Sequence, residues 1–181
     1  ERIPAGSLRP EARAASLRGE GGRWRIGIEG GGEIEADAVC LALPTEPARG
    51  LLEPLSERLG ARLGEIPYGS VATLNLAFSR EQVAHPLDGM GFVVPEIEGR
   101  MLMACSFSSS KFEGRAPEGK VLLRAFVGGA YGEAALFVSD EEMIGRVMDE
   151  LGPLLGIRGE PEAAVLSRYG SAMAQYRLGH L

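Results

Sequence analysis

The chain of 181 residues is long enough for one domain or two small ones. Apolar residues make up 45% and charged residues 24%, so a real core can be buried. The net charge of −6, with no stripe of Lys and Arg, argues against a nucleic-acid partner, and no apolar run reaches the length of a membrane span.

The two cysteines, Cys40 and Cys105, both sit in apolar runs. That favours buried free thiols over a disulfide and suggests a reducing, cytosolic setting. The chain starts at Glu1 without a methionine and stops at "YRLGHL", so an excised piece of a longer protein is expected.

In chain order, Trp24, Ile26 and Ile28 alternate with polar or small residues, which is strand periodicity. Gly30, Gly31 and Gly32 supply a hairpin turn, and Ile34 and Ala36 continue on its far side. "ADAVCLALP", residues 36–44, is short and continuously apolar, which predicts a strand buried on both faces and stopped by Pro44. Thr45 is placed to N-cap a helix carrying Leu51 and Leu52. A second helical piece covers about 56–63, and Gly64 and Pro67 break it, which sets the expected domain boundary.

Beyond that point the periodicity changes. In "SVATLNLAF", Ala72, Leu74, Leu76 and Phe78 line one face of a half-buried strand. "GMGFVVP", "RMLMACSF" and "KVLLRAFVGG" read as three more strands joined by turn-like stretches, most economically as an antiparallel meander. Residues 139–152 form the clearest helix. Ser139 and Glu142 make a capping box, Met143, Val147 and Leu151 an apolar face with Ile144 and Met148, and Gly152-Pro153 an end or kink. "EAAVLSRY" reads as a last strand.

Chemistry-bearing motifs are scarce. No GxGxxG, GxSxG, HExxH or paired CxxC occurs, and His85 and His180 are far apart without ligand-like spacing. His85 reads as an exposed loop residue. "FSSSKFEGRAPEGKVLLRAFVGG", residues 107–129, could be a phosphate loop only if its glycines led into a helix N-terminus. They lead into a strand, so residues 106–111 are expected to be a strand end and a polar loop. The residues alone give a two-part α/β (α+β) chain without complete catalytic apparatus.

Four stretches, "VATLNLAF", "GMGFVVP", "FSSSKFEGRAPEGKVLLRAFVGG" and "AMAQYRLGHL", follow one another here as in the protoporphyrinogen and coproporphyrinogen oxidases of haem synthesis, which the chain resembles over essentially its whole length. "RWRIGIEGGGEIEADAVCLALP" is similar to the part of those enzymes that returns to the FAD-binding domain, and its "ADAVCLALP" segment is shared more widely among amine oxidase-like flavoproteins. The resemblance implies a piece of a two-domain FAD-dependent oxidoreductase. Residues 1–63 would be a partial FAD-binding domain, and 64–181 a substrate-binding domain of antiparallel sheet and packed helix. The FAD fingerprint and the membrane-facing helical part would lie upstream, and a closing strand with further flavin contacts downstream.

The chemistry implied is removal of hydrogens from a porphyrinogen, with hydride passing to the flavin and dioxygen reoxidising it. The chain by itself is expected to be inactive and not to hold FAD. The expected location is cytoplasmic, with peripheral membrane contact through segments outside the chain. By motif matching, Met90, Gly91 and Val93 of "GMGFVVP" would face the macrocycle, with an aromatic usual where Met90 stands. Phe126 would line the same slot or be an ordinary core aromatic. Ala14, in "RAASL", stands where the family usually has a valine whose backbone touches the FAD adenine. "AMAQY" has Ala174 where a proline is usual. The competing readings are another amine oxidase-like flavoprotein, such as a desaturase or an amine oxidase, and a non-catalytic ligand-binding module.

Overall fold

The computed structural model describes residue 4 and residues 6–129 and 133–179. The chain divides into two compact units, Glu1–Pro67 and Tyr68–Leu181.

In the first unit, β1 (Ala14–Glu20), β2 (Arg23–Ile28) and β3 (Glu33–Ala36) form an antiparallel sheet in that order. Gly30, Gly31 and Gly32 all take positive φ, and the Ile28 amide donates to the Gly32 carbonyl at 3.0 Å, closing the β2–β3 turn. Arg25 reaches Glu20, Glu33 and Glu35 across the sheet. These pairs are solvent-exposed, so each contributes only tenths of a kcal/mol, roughly. Helices α1 (Thr45–Leu52) and α2 (Glu57–Gly64) follow. Ser56 caps α2, its Oγ accepting from the Leu59 amide at 3.3 Å. Thr45 does not cap α1. It is the first helical residue, and Pro44 holds the N-cap position without a side-chain bond.

The expected buried strand in residues 36–44 is not formed. Strand β3 ends at Ala36, and the apolar run beyond it is irregular, with Ala38, Cys40, Ala42 and Leu43 exposed. A doubly buried strand needs hydrogen-bonded neighbours and cover on both faces, and the described residues of this unit supply only the sheet of β1, β2 and β3. Cys40 is therefore an exposed free thiol, against expectation, whereas Cys105 is buried.

In the second unit five antiparallel strands lie in the order β5-β6-β7-β4-β8, with β4 (Tyr68–Ser79), β5 (Gly91–Val93), β6 (Leu102–Phe107), β7 (Lys120–Gly128) and β8 (Ala163–Ala174). Three consecutive strands do make a meander, but β4 lies between β7 and β8. Its residues Ala72, Leu74, Leu76 and Phe78 are wholly buried, and a strand that apolar gains most from two neighbours. These residues pack with Leu102, Cys105 and Phe107 of β6 and Val121, Leu123, Ala125 and Val127 of β7 into one core.

Helix α4 (Asp140–Leu155) covers that face of the sheet with Met143, Val147, Leu151 and Leu155, spaced four residues apart. Ser139 Oγ accepts from the Glu142 amide at 3.2 Å, so the cap is made, while the Glu142 carboxylate pairs with Arg146. The helix runs through Pro153 rather than ending at Gly152. A proline near the C-terminus removes one intrahelical bond, while burial of Leu155 extends the apolar face and Gly156 (φ 61°) supplies the left-handed cap. Glu150 ties the helix to the sheet: its two carboxylate oxygens accept from the Met101 and Leu102 amides at 2.9 and 3.0 Å, where β6 begins.

Candidate functional site

Because α4 and the core occupy one face of the five-stranded sheet, the opposite face is defined by the strand registers. Across one row lie Val93, Ala104, Phe126, Thr73 and Ser167; across the next lie Gly91, Ser106, Arg124, Asn75 and Val165. Directly paired residues of neighbouring strands share a face. Every one of these positions is half-buried or exposed, and Val93 is 79% exposed. The structure therefore brings Gly91, Val93 and Phe126 together on one broad surface of mostly small side chains, apolar and polar mixed, and Phe126 is not a core aromatic. A groove of about 440 Å³ opens beside Val93, lined also by Pro95, Arg100, Met103 and Gly128.

Met90 immediately precedes β5. Its carbonyl accepts from the Phe107 amide at 3.0 Å, and the residue is 71% exposed. Phe92 turns the other way, edge-on to Phe107 at 6.2 Å between ring centres. Gly91 has a structural reason of its own. Its φ is 137°, and a Cβ built there would lie 2.1 Å from the Cys105 carbonyl oxygen of β6. The backbone that Gly91 lets approach is that of the neighbouring strand.

The serine-rich segment is a strand end followed by a single helical turn, α3 (Ser108–Lys111), rather than a loop. Beyond the end of β6, the Leu122 amide of β7 donates to Ser109 Oγ at 3.1 Å. Ser109→Ala is therefore expected to cost about 1 kcal/mol of stability, the value of one partly buried hydrogen bond, and to leave turnover within a few-fold. Thermal denaturation and steady-state rates on one preparation check this. A loss of roughly a thousandfold, about 4 kcal/mol of transition-state stabilisation, would make the serine functional.

His85 is half-buried, not exposed. Its Nδ1 accepts from the Leu87 amide at 3.0 Å, and its ring lies 5.4 Å from that of Phe107. This bond steadies a turn in which Leu87 takes φ 55°. His180 lies outside the described residues. Near one end of the open face Lys120, Ser79 and Glu162 hydrogen-bond to one another. Lys120 holds the Glu162 carboxyl below its ordinary value, with Ser79 assisting. Burial pushes the Cys105 thiol from an ordinary 9.0 up to about 12, so Cys40 is the more readily alkylated of the two. Among the described residues no cluster of His, Cys, Asp and Glu could hold a metal ion, and no helix is long and apolar enough to cross a membrane.

In the first unit Ala14 lines a groove of about 640 Å³ with Ala12, Ala15, Leu43, Gly50 and Leu51. Arg13 and Glu29, an ion pair at 3.5 Å, also line it. Among the described residues β1 pairs only with β2, which leaves one backbone edge of β1 without a strand partner there. Small side chains beside an unpaired backbone edge suit a flat heteroaromatic ring held by main-chain hydrogen bonds. A backbone contact at Ala14 does not depend on the size of its side chain.

The chain belongs to the flavin-containing amine oxidoreductases: the sequence profile of that family matches residues 1–181. Among its relatives, coproporphyrinogen III oxidase of Bacillus subtilis is 32% identical over 93% of this chain and 35% of that protein. Coproporphyrinogen III oxidase of Propionibacterium freudenreichii is 33% identical over 88% of this chain and 30% of that protein. The chloroplastic protoporphyrinogen oxidase 1 of Arabidopsis thaliana is 28% identical over 81% and 29%.

The chain thus spans about a third of the length of these relatives. Among solved structures, an Exiguobacterium protein assigned as a protoporphyrinogen oxidase superposes with a TM-score of 0.74 at 29% identity, over 93% of this chain and 36% of that one. Putrescine oxidase bound to putrescine shares the fold, with a TM-score of 0.66 at 18% identity over 93% and 38%.

Proposed function

We propose that this chain is part of an FAD-dependent porphyrinogen oxidase, acting on coproporphyrinogen III or protoporphyrinogen IX with dioxygen as the final acceptor. The observation that carries the reading is the gathering of Gly91, Val93, Ala104 and Phe126 on one open sheet face, in a chain whose relatives are named porphyrinogen oxidases. A tetrapyrrole is broad and apolar, and a floor of small and apolar side chains on rigid strands can receive it without reorganisation.

The groove at Ala14 fits the adenine end of FAD, with contact through the β1 backbone. The flavin, when bound, supplies the hydride acceptor. This chain's own residues bind and orient. Val93 and Phe126 would bear on the macrocycle and exclude water beneath it, and Met90 would flank them at the start of β5. Gly91 holds β5 close against β6 and so fixes the height of that floor. No general acid or base is assigned to these residues. With only an adenine-end groove and no glycine-rich strand-to-helix turn, the chain by itself is inferred to hold no FAD and to be inactive.

Anaerobic mixing of the full-length flavoprotein that carries this chain with each reductant tests the reading. Coproporphyrinogen III or protoporphyrinogen IX should bleach the flavin and yield the emission of the porphyrin, and air should restore the flavin. Bleaching by putrescine or another amine, with neither porphyrinogen acting, would move the chain to the amine oxidases.

A further inference from the structure

In the two rows of the open face that carry Gly91 and Phe126, the one cation is Arg124 of β7, between Ser106 and Asn75. The other strand-borne cations of this unit are held by carboxylates: Lys120 by Glu162, and Arg168 by Asp140. Arg124 is not. Among the described residues no carboxylate pairs with it, although the chain as a whole is acidic. Its recorded side-chain bond is from Nε to Asn75 Oδ1 at 2.7 Å. That bond holds the guanidinium by its inner nitrogen and leaves the two terminal nitrogens as a fork for a planar anion. Asn75 is half-buried on β4, an inner strand beside β7, and is itself well placed to fix the arginine. Phe126 lies two residues on, on the same face.

We propose that Arg124 is a substrate-recognition residue that binds a propionate carboxylate of the porphyrinogen while the macrocycle lies over Phe126, Ala104 and Val93. The assignment rests on the porphyrinogen-oxidising reading above. An apolar tetrapyrrole carries its charge only on its propionate arms, so a cation set beside an apolar floor fixes the rotation of the ring as well as its affinity. Asn75 acts through Arg124 as a positioning residue. An arginine held ready in its binding geometry loses less entropy on meeting the carboxylate than a free one.

The test uses the full-length flavin-loaded protein, with coproporphyrinogen III and its tetramethyl ester as substrates. Arg124→Met should raise KM for the free acid by roughly tenfold to a hundredfold, and leave kcat within a few-fold. KM for the ester, which has no carboxylate to bind, should be unchanged. Arg124→Lys should recover part of the loss, and Arg124→Gln, which keeps a polar partner for Asn75, serves if the Met variant loses flavin. Normal wild-type turnover with an unchanged free-acid KM in these variants overturns the assignment of Arg124 alone. An equal rise of KM for acid and ester also overturns it, since that marks a loss of shape rather than of charge recognition. Failure of the wild-type protein to oxidise either porphyrinogen overturns the functional reading and this assignment with it.

Discussion

Gly91→Ala should lower the thermal midpoint of the full-length protein by several degrees, with bound flavin and activity falling in step. The residue takes φ 137°, a conformation that costs an L-residue on the order of 1–3 kcal/mol. The added Cβ would also sit 2.1 Å from the Cys105 carbonyl oxygen and 2.8 Å from the Ser106 Cα. Both contacts are with backbone, so no side chain can swing aside, and β5 must shift away from β6. Overpacking of this kind adds ~1–3 kcal/mol. At roughly 2–4 °C per kcal/mol for a unit of 150–250 residues, and less for a longer protein, the combined cost gives a drop of several degrees. Differential scanning calorimetry beside a flavin spectrum measures it. A variant with an unmoved midpoint and a raised KM alone would assign Gly91 to the ligand rather than to the sheet.

Leu151→Ala should be the other severe change, at about 2–5 kcal/mol, against about 0.5 kcal/mol for Leu154→Ala. Leu151 is fully buried between α4 and the sheet, whereas Leu154 is 41% exposed. The loss at Leu151 combines transfer of the removed atoms with the cavity left under a rigid strand layer. Denaturant midpoints of the two variants should therefore differ widely at similar slope. Equal midpoints would mean that another face of α4 carries the packing.

What was legible in the sequence follows from local periodicity. The alternation in β4 placed Ala72, Leu74, Leu76 and Phe78 on one buried face, and the spacing in α4 placed Met143, Val147 and Leu151 on another. Both patterns are written within a few residues. Strand order is not: the position of β4 between β7 and β8 depends on pairings tens of residues apart. The apolar run 36–44 reads as a strand yet forms none, because composition cannot say whether neighbours exist to pair with it.

The same limit applies to Pro153, where burial of Leu155 outweighs a local helix-ending signal, and to His85, which Phe107 half covers. On the open face, Gly91, Val93 and Phe126 were reached through resemblance to a family. Arg124 and Asn75 carry no such mark, since their 2.7 Å contact joins two strands and is written in neither one. The parity of Arg124 with Phe126 in "LLRAFVG" was the available signal.

Val93→Asp in the full-length flavin-loaded protein is the most direct test of the open face as the floor for the macrocycle. Val93 is 79% exposed and lies on β5, at the edge of the sheet, so the substitution disturbs no core packing. It does set a carboxylate where an apolar ring carrying propionates would lie, adding repulsion and desolvation cost. KM for coproporphyrinogen III and protoporphyrinogen IX is predicted to rise by about tenfold or more, with flavin content and thermal midpoint held near those of the wild type. A KM unchanged for both porphyrinogens, in a variant that remains folded and flavin-loaded, would contradict the account and place the substrate elsewhere.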